Sequence, residues 1–228
     1  MLSSHGTDGV ARLRAALEAS NSSARLQAAL AAGTNPDPAC VGVLIERSAV
    51  EPDFFVRDML TWALTRHPAA ITVPRLLEET RAETSQARSQ ALHTLSKIGD
   101  RRGWEAVTSD ALQDPDDEVA RSAWRAAVAL VPGGGEAELA TALATQLGRG
   151  NRDLQLSLSR ALAALGDAAT PALTDGANDT SENVRAHAIA TERLLRDPGE
   201  GFDEAIFEAK RTLALKDAPM VGLDHADR

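Results

Sequence analysis

The sequence predicts an all-α chain, a solenoid of about six helical hairpins preceded by an N-terminal capping helix. Three observations carry this. Ala and Leu supply most of the apolar residues, aromatics are only 3% and Tyr is absent. Such a composition suits many close-packed helices and not sheets, which favour β-branched and aromatic side chains. An amphipathic helical pattern recurs every 30–34 residues, the signature of a repeat architecture. Copies of the pattern also stop on a helix-ending residue at the same offset.

The first element is a helix near 8–19 with Val10, Leu13, Ala16 and Leu17 on one face. It has no partner before it and reads as a cap. Six long helices follow, marked by Ala24-Arg25, Val56-Arg57, Ala87-Arg88, Ala120-Arg121, Leu154-Gln155 and Val184-Arg185, at spacings of 32, 31, 33, 34 and 30 residues. Twelve positions past the first residue of each pair stand Pro36, Pro68, Gly99, Pro132, Gly166 and Arg196, so five of six copies end on Pro or Gly. Acidic turns such as Glu51-Pro52-Asp53, Asp114-Pro115-Asp116-Asp117 and Asp179-Thr180-Ser181-Glu182 precede these helices. Short polar side chains there accept from free N–H groups, and carboxylates favour the positive end of the helix dipole. Shorter amphipathic stretches lie near 38–49, 71–82, 102–113, 136–148, 168–176 and 202–216, each expected to pair with the long helix before it. The expected organisation is one array over 1–216, with repeats at about 20–50, 51–83, 84–113, 114–148, 149–177 and 178–216, and a disordered tail over 217–228. One such hairpin cannot bury its own apolar face, so neighbours must share a core.

Charge and chemistry-bearing residues narrow the function. A net charge of −9, from 33 acidic and 24 basic residues, disfavours broad attraction to a phosphate backbone, so no direct nucleic-acid binding is expected. The single cysteine, Cys40, allows no intramolecular disulfide; beside Val41-Gly42-Val43-Leu44-Ile45 it reads as a small buried hydrophobe. Met1–Gly6 has neither a basic segment nor an apolar run, and no stretch approaches the roughly 20 apolar residues of a membrane span. A cytoplasmic location without membrane contact is expected. His5, His67, His93, His187 and His225 lack ligand partners at helical spacing, so no metal and no cofactor are expected. Gly133-Gly134-Gly135 lacks the Lys-Ser/Thr of a phosphate loop, and the acidic run Asp114–Glu118 lacks the ligand spacing of a calcium loop.

The segments Asp53-Phe54-Phe55-Val56-Arg57, Asp116-Asp117-Glu118-Val119-Ala120-Arg121 and Glu182-Asn183-Val184-Arg185-Ala186-His187-Ala188 resemble HEAT repeats, more narrowly the bacterial HEAT-like type of phycobilin lyases. So do the helix ends Leu95-Ser96-Lys97-Ile98-Gly99-Asp100 and Ala161-Leu162-Ala163-Ala164-Leu165-Gly166-Asp167. The resemblance covers roughly residues 20–216 and implies a right-handed superhelix. It also implies that the ladder Arg25, Arg57, Arg88, Arg121 and Arg185 is structural, each Arg pairing with a carboxylate such as Asp53, Glu83, Asp116 or Glu182. Gln155 departs from that ladder, and Glu192 stands where a buried Leu is expected.

The three tryptophans separate. Trp124 falls on the core-facing side and is expected to be buried. Trp62 falls at the sixth position after Val56, a place held by His93 in the next repeat and by Arg160 two repeats later. The resemblance implies that these helices line the concave side. Asp58, Trp62, Arg66, His93 and Arg160 are therefore the candidate partner-binding surface, the alternative being that Trp62 packs against a neighbouring repeat. The expected function is a non-enzymatic scaffold for an unknown protein partner. The alternatives are a HEAT-like enzyme, either a DNA-alkylation repair glycosylase or a bilin lyase, and a subunit of a nucleic-acid complex that touches only its protein partner. A positive groove with exposed Trp62 favours nucleic acid; a mixed or acidic face with apolar spots favours protein.

Overall fold

The computed structural model describes residues 3–197, 199 and 201–216, and all regular structure among them is helical. The elements are α1 (Ser3–Leu17), α2 (Ser22–Thr34), α3 (Val41–Ser48), α4 (Phe54–Thr65), α5 (Ala69–Glu79), α6 (Ser85–Ile98), α7 (Ser109–Leu112), α8 (Asp117–Leu130), α9 (Glu136–Ala144), α10 (Arg152–Ala164), α11 (Thr170–Gly176), α12 (Glu182–Arg196) and α13 (Phe202–Lys216). Short 3-10 turns occupy Pro38–Cys40, Arg101–Ala106 and Gly166–Ala169. None of the helices is long and apolar enough to cross a membrane. The tail expected over 217–228 lies outside the described residues. The chain divides into two compact units, Met1–Ala142 and Leu143–Arg228.

In the first unit the long helices pack in chain order, α2 on α4, α4 on α6 and α6 on α8. In the second, α10 packs on α12, and α12 on α11 and α13. The long helices begin where polar turns offer a cap. Asn21, Asp53, Thr84, Asp116 and Asn151 each accept a backbone N–H two or three residues ahead. A cap of this kind contributes about 1 kcal/mol. At its far end α6 closes on Gly99, whose φ of +69° is a left-handed conformation that side-chain-bearing residues rarely adopt.

The short helices differ from expectation in two ways. They pack chiefly on the long helix that follows them, α3 on α4, α5 on α6, α7 on α8 and α11 on α12. The turns before α4, α6 and α12 are each pinned to the start of the helix they feed, as described below, which holds those pairs together. The helix expected near 102–113 is broken. Asp100 accepts from Arg102 N–H and Thr108 from Ala111 N–H, so two competing caps start two short turns where one helix was expected. Trp124, fully buried as expected, closes this gap by donating its Nε1–H to the Leu112 carbonyl at 2.9 Å.

The ladder has a different chemistry from the one expected. Arg25, Arg57, Arg88 and Arg185 all stand four residues after the N-cap, and each donates from Nη1 to the carbonyls five and six residues upstream. Gln155 holds the same position in α10 and reaches Gly148 and Gly150, so the amide substitutes for the guanidinium. The shared role is to tie the preceding turn to the helix it feeds. Where a carboxylate joins in, it is Glu51 for Arg25 and Asp114 for Arg88, not Asp53 or Asp116. The two acids of each Glu/Asp-Pro-Asp turn divide the work. The first takes the Arg and also the N–H of the second, and the second caps the helix.

Arg121 does not belong to the ladder. The N-cap of α8 is Asp116, so the ladder position is Ala120, which is fully buried. Arg121 lies one residue, about 100°, further round the helix. It meets only Glu118 at 3.4 Å, and its Nε is buried without a hydrogen bond among the described residues.

The core of the first unit runs through Leu44, Val56, Leu60, Leu64, Val73, Leu92 and Leu95 to Ala123 and Trp124. Ala190, Ala205 and Ala209 join α12 to α13 in the second unit, with Ile189, Leu194 and Ile206 packed around them. Small Ala against long Leu lets helix axes approach closely. Cys40 is buried, as expected, and burial pushes its thiol above the ordinary range.

Candidate functional site

The short helices leave one side of α4, α6 and α8 bare. Counting from each N-cap, residues at the fifth and ninth positions lie on that side: Asp58 and Trp62 on α4 and Arg125 on α8 are exposed, His93 on α6 and Arg121 on α8 are half-buried, and Ser89 on α6 is buried. A cavity of about 250 Å³ runs across this face, lined among others by Phe54, Asp58, Gln90, His93, Glu118 and Arg125. A second, of about 280 Å³, continues it toward the helix starts and shares Arg57, Ser89, Gln90 and Glu118. Its charge is mixed, with the carboxylates of Asp58 and Glu118 set among the cations of Arg57 and Arg125. Burial, and then nearby Lys97 and Arg125, push the half-buried His93 below its ordinary pKa, against the opposing pull of Asp58.

Of the five candidate surface residues, Asp58 and His93 share this groove. Trp62 lies on the same bare face but leans the other way, toward α2. Its ring stands over Gly33, where an added Cβ would lie 2.3 Å from Cζ3. Trp62 thus packs on the neighbouring helix α2 and remains 38% exposed. The indole leaves no room for a side chain at Gly33. Arg66 is exposed on the turn ending α4, and Arg160 is exposed on α10 in the second unit.

Two parts of this surface are absent from the sequence reading. Phe54 and Phe55, at the first two positions of α4, are 65% and 71% exposed and meet edge to face at 5.6 Å, with the Arg57 guanidinium 5.9 Å from the Phe54 ring centre. The signal was their place directly after the N-cap, which no core-facing position reaches. Arg125 was hidden by the Arg121 offset. Counted from the N-cap it stands in line with Trp62 and His93, whereas the ladder register puts Ala126 there.

The second unit holds a Ser–His pair that looks catalytic until its hydrogens are assigned. Gly148 N–H can only donate, so His187 Nδ1 accepts it at 2.9 Å and the ring proton sits on Nε2. Nε2–H faces the Gln155 carbonyl at 3.1 Å and Ser159 Oγ at 3.0 Å. Thr191 donates to the His187 carbonyl, which leaves Ser159 to donate to Thr191 at 2.7 Å. The Ser159 proton thus points away from the imidazole, and His187 cannot act as its base. All three side chains are buried, and burial pushes the His187 pKa down to about 4. The cluster is structural. No group of three potential metal ligands occurs among the described residues.

No family model matches the chain, and no curated protein matches it. Among solved structures it is similar to the crystal structure of an engineered protein from the Northeast Structural Genomics Consortium, with 20% identity over 88% of this chain and 97% of that one, and a TM-score of 0.44. A likeness at that level does not extend to residues or activity.

Proposed function

We propose that the chain is a HEAT-like α-solenoid of about six hairpins that works as a protein-binding scaffold, with no chemistry of its own, and that its partner lies on the bare face of the long helices. What supports the repeat reading is the ladder. In each unit taken by itself, an Arg or Gln four residues after the N-cap clasps the carbonyls of the turn before it. What supports the binding reading is one observation. The face across α4, α6 and α8 is not a positive groove but a mixed-charge one, edged by the exposed aromatics Phe54, Phe55 and Trp62. Nucleic-acid binding calls for a cationic track, whereas protein interfaces are built from aromatic and Arg anchors within a polar rim.

The test is capture of partners from the native host by the wild-type chain and by Trp62→Ala. The ring is partly exposed and rests on a glycine, so the variant keeps its helix content by circular dichroism. Partner recovery is expected to fall at least about tenfold. Unchanged recovery removes Trp62 as an anchor. Release of a modified base, or bilin transfer, by the purified chain with no partner recovered overturns the scaffold reading.

A further inference from the structure

The two units treat the same seam differently. In the second, Ser159 stands eight residues after the N-cap of α10, and His187 and Thr191 stand six and ten residues after that of α12. Their side chains seal the seam. Ser159 and Thr191 join at 2.7 Å, and His187 reaches Ser159 and the Gln155 carbonyl. In the first unit Thr61 on α4, and Gln90 and Thr94 on α6, hold the same three positions. Thr61 and Thr94 repeat the hydroxyl pair at 3.4 Å. Gln90, in the place of His187, makes no side-chain hydrogen bond among the described residues and lines both cavities of the groove. The opening is thus particular to this seam and not a consequence of the repeat.

A buried hydroxyl points the same way. Ser122, on the α8 wall of the larger groove, is 8% exposed, and its Oγ has no hydrogen-bond partner among the described residues. A hydroxyl buried without a partner favours an occupant that bonds it. Charge stands on both walls. α6 packs on α4 and on α8 and lies between them. Asp58, exposed on α4, has no hydrogen bond or ion pair among the described residues, and Arg125 is exposed on α8. Both charges reach His93 on α6, Asp58 raising its pKa and Arg125 lowering it. The cavity they line is about 250 Å³, room for about eight waters at about 30 Å³ each. A ligand of one sign would set either the carboxylate or the guanidinium against a like charge, whereas a small ligand carrying both signs satisfies each wall. The adjoining cavity of about 280 Å³ is lined by polar and charged side chains alone.

We propose that this groove binds a free amino acid with a polar side chain, its ammonium group on Asp58, its carboxylate on Arg125 and the Ser122 hydroxyl, and its side chain in the adjoining cavity beside Gln90. The guanidinium presents a planar fork of N–H donors suited to a carboxylate, and Ser122 adds an O–H donor. Gln90 offers both donors and an acceptor, which fits an amide side chain. The opposed walls select against ligands that carry one charge only. The site lies on the face assigned to the protein partner and does not depend on that reading.

The test titrates the isotope-labelled full chain at neutral pH with L-glutamine, N-acetyl-L-glutamine, L-glutaminamide and L-leucine, read by amide chemical shifts and calorimetry. L-Glutamine is expected to bind, with shifts centred on 89–93 and 122–125. Acetylation removes the ammonium charge and amidation removes the carboxylate, and each is expected to weaken binding at least about tenfold. L-Leucine, with an apolar tail in a polar cavity, is expected to bind about tenfold more weakly. Asp58→Asn and Arg125→Gln, both at exposed positions, assign the two ends. Asp58→Asn is expected to weaken L-glutamine as much as acetylation does and to leave N-acetyl-L-glutamine unaffected; Arg125→Gln is expected to do the same toward L-glutaminamide. Ser122→Ala is expected to weaken L-glutamine about fivefold. Absence of L-glutamine binding overturns the assignment, as do shifts centred elsewhere or an affinity that Asp58→Asn and Arg125→Gln leave unchanged. If L-glutamine does not bind yet Trp62→Ala still abolishes capture of a native partner, the amino-acid site fails and the scaffold reading stands; if L-glutamine binds as described and no partner is captured, the site stands alone.

Discussion

Acidification loads the unfolded chain with a proton that His187 cannot accept while folded. Its Nδ1 already takes the Gly148 N–H, so a proton there would set two donors head to head, and Nε2–H is committed to Gln155 and Ser159. The Phe202 ring, 6.0 Å away edge to face, supplies no charge to compensate. Burial holds the folded pKa at about 4, against 6.5 for the free side chain. At pH 7 both states are neutral at this site and it adds no pH dependence. Below pH 6.5 the unfolded chain binds the proton and the folded one does not, so stability falls by about 1.4 kcal/mol per pH unit until the folded pKa is reached. The loss by pH 4 is about 3 kcal/mol. The measurement must see the second unit by itself. Trp62, Trp104 and Trp124 all lie in the first unit, so indole fluorescence does not report on it. Hydrogen exchange of the 148–191 amides does, measured at pH 7 and pH 4 after correction for intrinsic rates. Wild type should lose about 3 kcal/mol more protection than His187→Gln, which cannot titrate. The imidazole proton resonances should also stay flat above pH 5. Titration near 6.5, or an equal acid loss in the variant, would refute the argument.

The division of labour in the acidic turns predicts unequal costs. Glu51 is fully buried. Burial alone would raise its pKa, but Arg25, the Asp53 N–H and Arg47 outweigh it and hold it at about 2. Glu51→Ala strands the buried Arg25 and should destabilise the first unit by about 3–5 kcal/mol in urea unfolding followed by Trp fluorescence. Asp53→Ala removes only a cap and should cost about 1 kcal/mol. In the same assay Arg88→Ala, which loses Asp114 and two carbonyls, should cost about 2 kcal/mol, while Arg121→Ala, outside the ladder, should change stability by less than about 0.5 kcal/mol. Gly33→Ala puts a methyl group into the indole of Trp62. Helix propensity favours Ala by about 1 kcal/mol, so a net loss in thermal unfolding, with a shifted Trp emission, marks the steric clash.

Much of the local structure was legible in the sequence because its causes are local. The long helices start at Asn, Asp or Thr caps, and α6 stops on the left-handed Gly99. Trp124 fell on the buried side of α8 because helical periodicity allowed no other place. Registers and partners depend on contacts far apart in sequence, and these were misread. A single extra residue before Arg121 moved it off the ladder and hid Arg125. The choice of Glu51 over Asp53 for Arg25 turns on which oxygen lies within reach of a guanidinium 26 residues away. The exposure of the Phe54–Phe55 pair was not legible, because apolar character alone does not say what stands opposite.

Composition and periodicity by themselves determined that the chain is helical, where its long helices begin and end, and which of their faces is apolar, since these follow from backbone geometry within a few residues. Only the tertiary structure decided which faces stay open. It set the Trp62 ring on Gly33 and brought Asp58, His93 and Arg125 to one groove. Burial and charge pairing are properties of the packed neighbours, and no stretch of sequence carries its neighbours with it.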